Sequence, residues 1–189
     1  MVPKNTAESA PAAANQFTAA DIAAILCARG WLNPGLPDEQ GAPGSELAAW
    51  MNEAAVLLGP HAASRDALAD LLCLVFNYDA RAILRRPESH AVLAREGARE
   101  VIRELAHQVL EGPPVDSDRF KEIVSALKER LHHRGRKLFH PIRLALAGRA
   151  GEGELDRVIL LLDGAAALPS RFAVKGTRQR MLEFCASME

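Results

Sequence analysis

Between Lys128 and Arg149 the chain sets seven cationic side chains, Lys128, Arg130, Arg134, Arg136, Lys137, Arg143 and Arg149, against one carboxylate, Glu129. Cations at this density neutralise phosphates, and a guanidinium plane can also lie against a nucleobase. The stretch carries +6 and the remaining residues −7, so the formal charge of −1 conceals a polarised molecule. Nucleic acid is the polyanion such a patch fits first. The competing reading is a plain solvated face, because Arg134, Arg136 and Lys137 follow the end of a helix and would complement its dipole. Aromatic rings for base stacking are scarce. Phe139 is the one in the stretch, and its place ahead of Pro141 points to a hydrophobic staple against Leu144.

Other chemistries find less support. His132, His133 and His140 cluster in sequence, but a zinc site needs converging ligands and no cysteine stands near them. No metal or cofactor is expected. The glycines of "GRAGEGEL", Gly148 to Leu155, lead into a helix as phosphate loops do. They lack the Gly-Lys-Ser/Thr ending, follow a helix instead of a strand, and bring Glu152 and Glu154 where amides should attract phosphate. No nucleophile elbow, zincin or kinase signature occurs, and Cys185 beside Glu183 lies on an apolar stripe. Enzyme chemistry is not expected.

The elements that carry the patch read as helices throughout. Thr18 and Asp21 resemble a capping box ahead of a helix stopped by Gly30. A turn-rich connection, "NPGLPDEQGAPG", leads to a helix capped by Ser45 and ended at Gly59-Pro60. Apolar spacing predicts a helix over Ser64–Phe76, and Pro87 opens a further one reaching Leu110, with Val92, Gly97 and Val101 as weaker punctuation along which it could kink. Phe120, Ile123, Val124, Leu127 and Leu131 draw one stripe on a helix that Gly135 ends. Pro141 is expected to start a short helix closed by Gly148. A helix over Leu155–Leu162, ended by Gly164, and a last one burying Met181, Leu182 and Cys185 complete an all-α multi-helix bundle. Residues 1–17 read as a disordered lead-in, 18–59 as an N-terminal helical pair and 60–189 as the main helical domain. No apolar run is long enough to cross a bilayer, so no membrane partner is expected. Three scattered cysteines, Cys27, Cys73 and Cys185, suit a reducing, cytoplasmic setting and buried positions.

The stretch "GRKLFHPIRLALAG", Gly135 to Gly148, resembles the signature of the C-terminal anticodon-binding region of bacterial-type glutamyl-tRNA synthetases, class I enzymes. Lys137, Leu138, Phe139, Pro141, Arg143, Ala145, Leu146 and Gly148 carry the likeness. Leu161, Leu162 and Gly164 fit a later Leu-Leu-Gly with Asp163 inserted, and Arg171 fits an arginine beyond it. The likeness spans roughly residues 60–172. Ala147 replaces the usual threonine, the proline expected near Gly153-Glu154 is missing, and Ala165–Ala167 replaces a polar run. Neither catalytic signature of those enzymes, HIGH-like or KMSKS-like, is present, and 189 residues leave no room for their catalytic domain. The resemblance therefore implies a helical-cage fold and a non-catalytic protein that binds RNA, tRNA or a tRNA-like structure. Arg134, Arg136, Lys137, Arg143 and Arg149 are the candidate contacts. The alternative it leaves open is a protein-interaction module on the same fold, docking a separately encoded partner.

Overall fold

A computed structural model describes residues 16–31, 45–168 and 174–188. Most of the lead-in, the turn-rich connection and Arg171 lie outside the described residues. Among those described there is no strand: the all-α bundle is what forms. Helices α1 (Ala19–Ala28) and α2 (Glu46–Leu58) come first, then a 3₁₀ turn at Gly59–His61. They are followed by α3 (Arg65–Phe76), α4 (Ala80–Leu84), α5 (Pro87–Leu93), α6 (Ala98–Glu111) and α7 (Ser117–Leu131). Helices α8 (Arg136–Ala147), α9 (Glu154–Leu160), α10 (Leu162–Ala167) and α11 (Thr177–Met188) complete the order.

Local chemistry sets the helix starts. Asp21 accepts from the backbone N–H of Thr18 at 2.8 Å, and those contacts hold its carboxyl below the ordinary range. Ser45, Ser64, Asp79 and Asp116 each accept a backbone N–H three residues on, closing the N-termini of α2, α3, α4 and α7. Pro87 opens α5 as its missing N–H allows. The helix expected to run on to Leu110 breaks instead at Gly97, whose φ of +79° suits glycine, and resumes as α6. The helix expected over Leu155–Leu162 also divides, at Leu161, leaving Gly164 inside α10.

The largest departure concerns α8. It begins at Arg136 and takes Pro141 into its interior, where the proline gives up one helical hydrogen bond. Its burial explains why the helix persists. Leu138 and every residue from Pro141 to Ala147 are buried, since α8 packs on α5, α6, α9 and α11 at once. A helix enclosed on all sides holds its geometry through packing more than through local preference. Phe139 consequently sits within the helix, half-buried, and is not the staple that a start at Pro141 implied.

Two polar knots tie the later helices to this axis. Asp163, the residue inserted in the Leu-Leu-Gly, accepts from Val115 N and Thr177 N, each at 2.6 Å, and from Thr177 Oγ1 at 2.7 Å. Arg180 is fully buried on the inner stripe of α11 with Thr177, Met181 and Phe184. Its guanidinium donates to the carbonyls of Lys175, Leu74, Leu146 and Val75, at 2.8, 3.0, 2.8 and 2.5 Å. It also lies 4.5 Å over the ring of Tyr78, whose hydroxyl donates to Ala145 O. Burial draws the Arg180 pKa down to about 10, so it remains charged at neutral pH. Leu182, expected inside, falls off that stripe and is exposed. Cys27 is exposed too, against expectation, because α1 turns Ile22, Ile25 and Leu26 inward. Trp50 joins the first helices to the rest, donating to Leu161 O at 3.2 Å and meeting Phe76 edge-on.

Arg180→Met would leave four carbonyls without this donor, those of Val75 and Leu146 buried and those of Leu74 and Lys175 partly so. Urea unfolding should show a loss of about 3–5 kcal/mol, against less than about 0.5 kcal/mol for Leu182→Gln at the exposed neighbour. Equal midpoints for the two variants would refute the role given to Arg180.

Candidate nucleic-acid interface

The basic stretch folds into the C-terminal turn of α7, a tight reversal and α8. His132, not Gly135, ends α7, in the left-handed region at φ +54°. Gly135 then turns the chain into α8 with φ +54° and ψ −137°, a combination that a side chain would make costly. Arg136 and Lys137 therefore occupy the first turn of α8, with no acidic residue beside them in that turn. That arrangement opposes the macrodipole, at about 0.3–1 kcal/mol per cation. By sequence alone these cations follow a helix end, where they would complement the dipole instead.

The five candidate contacts separate sharply. Arg134 and Arg149 are exposed, and neither has an ion-pair partner among the described residues. Arg136 reaches Glu152 at 3.4 Å with both side chains more than 70% exposed, at 76% and 71%. Lys137 stands 4.0 Å from Glu96. Pairs so exposed contribute little, 0–1 kcal/mol in general, and yield readily to a stronger anion. Arg143 belongs elsewhere. It is only 7% exposed, and its fork grips Asp156 through Nε at 2.7 Å and a terminal nitrogen at 2.8 Å. Its other terminal nitrogen donates to Gly151 O at 2.6 Å. The expectation that Arg143 offers itself to a ligand is thus corrected: with its donors engaged, it fastens the 148–153 loop and α9 to α8.

Arg130 is likewise committed, to Glu104 of α6 at 2.8 Å. Lys128 leans over the Phe139 ring at 5.6 Å, and Arg143 approaches the same ring at 4.9 Å. Beside them opens a cleft of about 570 Å³ lined by Lys128, Glu129, His132, Arg134, Gly135 and Phe139. Among the described residues no group of three His, Cys, Asp or Glu side chains is placed to hold a metal ion. The histidines are used structurally. His133 packs on Gly97 so closely that a Cβ there would meet its Nε2 at 2.1 Å. His140 places Nδ1 3.1 Å from Arg95 Nη1 and buries Nε2 without a partner. Arg95 and Glu96 thus join this surface from the α5–α6 turn, 40 or more positions back in the chain, where nothing in the sequence marked them.

Comparison with known proteins bears on this geometry. A family model described as an anticodon binding domain matches residues 13–178. The chain belongs to that family. A glutamate–tRNA ligase of Carboxydothermus hydrogenoformans is 34% identical over 80 residues, 42% of this chain and 17% of the ligase. Glutamate–tRNA ligase 2 of Syntrophus aciditrophicus is 34% identical over 84 residues, 44% of this chain and 15% of its own. The ligase of Bacillus subtilis is 33% identical over 81 residues, 43% and 17%. The matches of this anticodon binding domain family member thus span about a sixth of those ligases. No solved structure matches.

Burial, then the charges of Arg95, Arg136 and Arg143, push the His140 pKa below its ordinary 6.5. Glu152 opposes the shift. The unfolded chain therefore takes up a proton near pH 6.5 that the folded chain declines. Stability should be flat above that pH and fall as the pH drops below it, and His140→Gln should remove that part of the slope in urea titrations between pH 7.5 and 5.5. An unchanged slope would contradict the assignment.

Proposed function

We propose that this domain binds RNA, tRNA or a tRNA-like structure, without catalysing a reaction, through the surface of Arg134, Arg136, Lys137 and Arg149. One observation carries the reading: two cations occupy the first turn of α8, where the helix itself disfavours them, while Arg134 and Arg149 stand exposed without ion pairs among the described residues. A local rule broken at a stability cost marks a surface kept for a ligand. The ligand is anionic, because helix N-terminal amides and the cations both point to negative charge. Membership of a family described by anticodon binding supports RNA as that anion, and the glutamate–tRNA ligases it resembles support tRNA. The reading is non-catalytic because the matched family model is a binding domain and the sequence holds no nucleophile or metal signature. A cytoplasmic location follows from such a partner. Arg143 holds the surface in shape from beneath.

A second reading rests on a different feature. A groove of about 930 Å³ runs between α2, the Pro113-Pro114 loop, α10 and the start of α11, and Ala166 and Ala167 line it. Those alanines replace the polar run expected from the resemblance, and exposed Val56 lies on α2, which forms one wall. A docked protein partner would use that side.

The primary reading predicts affinity for labelled tRNA that falls roughly a hundredfold between 50 and 200 mM salt, at about 0.7–0.9 logarithmic units per phosphate contact for some four contacts. Charge reversal at Arg134, Arg136 and Lys137 together should abolish most of that affinity and flatten the salt dependence. Absence of binding at micromolar protein, or binding indifferent to the triple reversal, would overturn it. Capture of a protein from extract that survives nuclease treatment would favour the second reading.

A further inference from the structure

The sequence places its cations in one stretch, yet folding adds a second group at the far end of α8. Gly148 ends that helix with φ +78°, and Arg149 follows it at the surface. Helix α4 packs into this corner through Ile83, whose Cδ1 would lie 2.8 Å from a Cβ at Gly148. The same packing brings Arg86, which donates from Nη1 to Gly148 O at 3.2 Å. Arg81 and Arg85, four apart on α4 and its cap, share the exposed face of that helix, turned away from Ile83, with Arg85 near enough to Asp79 to help hold its carboxyl below the ordinary range. None of Arg81, Arg85, Arg86 and Arg149 has an ion pair among the described residues.

The acids on these elements are few and partly occupied. Asp79 spends one oxygen capping α4, accepting from Ala82 N at 3.0 Å. Glu88 lies in the first turn of α5, where the dipole favours it. A carbonyl-bound Arg86 by itself is what the end of any helix attracts. The side chains of Arg81, Arg85 and Arg149 make no hydrogen bond or ion pair among the described residues, and their exposed guanidinium groups are open to a polyanion.

The two groups are joined by geometry. Helix α8 has 12 residues, so its ends stand about 18 Å apart. Helix α5 lies across it, preceded by Arg86 at Gly148 and followed by Arg95 at His140. Arginines therefore flank α5 at both ends, between the Arg134–Lys137 group and the Arg81–Arg86 group. At about 3.4 Å of axis per phosphate along one strand of a duplex, that span covers on the order of five phosphates.

We propose that Arg81, Arg85 and Arg86, with Arg149, form a second anchoring site for the phosphate backbone of the same RNA, so that the strand crosses α5 between the two ends of α8. This rests on the RNA-binding reading above and extends it from Arg149 to Arg81, Arg85 and Arg86, which neither the sequence stretch nor the family resemblance singled out.

The test uses the intact chain and labelled tRNA, titrated at several salt concentrations. Arg81→Glu with Arg85→Glu should weaken binding about tenfold or more at 100 mM salt and lower the salt exponent by about 1.4–1.8, the share of two lost contacts. Lys121→Glu with Arg178→Glu changes net charge equally but sits near the opposite end of α7 and at the apolar groove, and should stay within about twofold of wild type. Circular dichroism melts confirm that each pair folds. Should the Arg81/Arg85 variant bind like the control pair while reversal at Arg134, Arg136 and Lys137 still abolishes binding, the second site is refuted and the first stands. Should the wild-type chain not bind tRNA, both fall.

Discussion

The enclosure of α8 governs the rest of the molecule. From Pro141 to Ala147 each of its residues is buried, so the helix cannot present charge along its length. The one charge it carries there, Arg143, is neutralised by the fork on Asp156 and the bond to Gly151 O. A buried cation without such partners would cost several kcal/mol. Everything cationic that is meant for solvent is therefore displaced to the two ends. Arg136 and Lys137 fall at one end and Arg149 at the other, and neighbouring helices add Arg95 and Arg86 at the same two places.

The same enclosure explains why an interior proline and a dipole-opposed first turn persist. Both are locally unfavourable, and both are offset by the apolar surface that Leu138, Ile142, Leu144 and Leu146 remove from water. Arg180 and Asp163 extend the constraint outward. They peg α11 to the carbonyls of α3 and α8 and to the loop before α7, which fixes the bundle that in turn holds the basic face open.

The helical class, most helix starts and the position of the basic face could be read from the chain, because caps and apolar spacing are local. Ser45, Ser64 and Pro87 each do what their type suggests. The errors share one physical origin, contacts remote in sequence. Pro141 looks like a helix start until burial on four neighbours is known. Arg143 looks like a free cation until Asp156, 13 residues on, folds back to it. Leu182 looks like core because it adjoins Met181, yet the inner stripe of α11 contains a guanidinium, Arg180, in its place. Arg95 and Arg86 carried no local signal at all. Family resemblance located the motif, but its leucines and proline serve packing and so do not by themselves speak for RNA.

The central claim is that RNA meets the face formed by the α7–α8 turn and the ends of α8. An amide NMR titration of the labelled chain with tRNA reads this position by position. The account predicts shift changes and broadening at residues 132–137, 148–150 and the turns flanking α5, with α2 and the groove-lining residues of α10 unmoved. Perturbations confined to α2, α10 and the start of α11 would contradict it and place the functional surface on the opposite, apolar side.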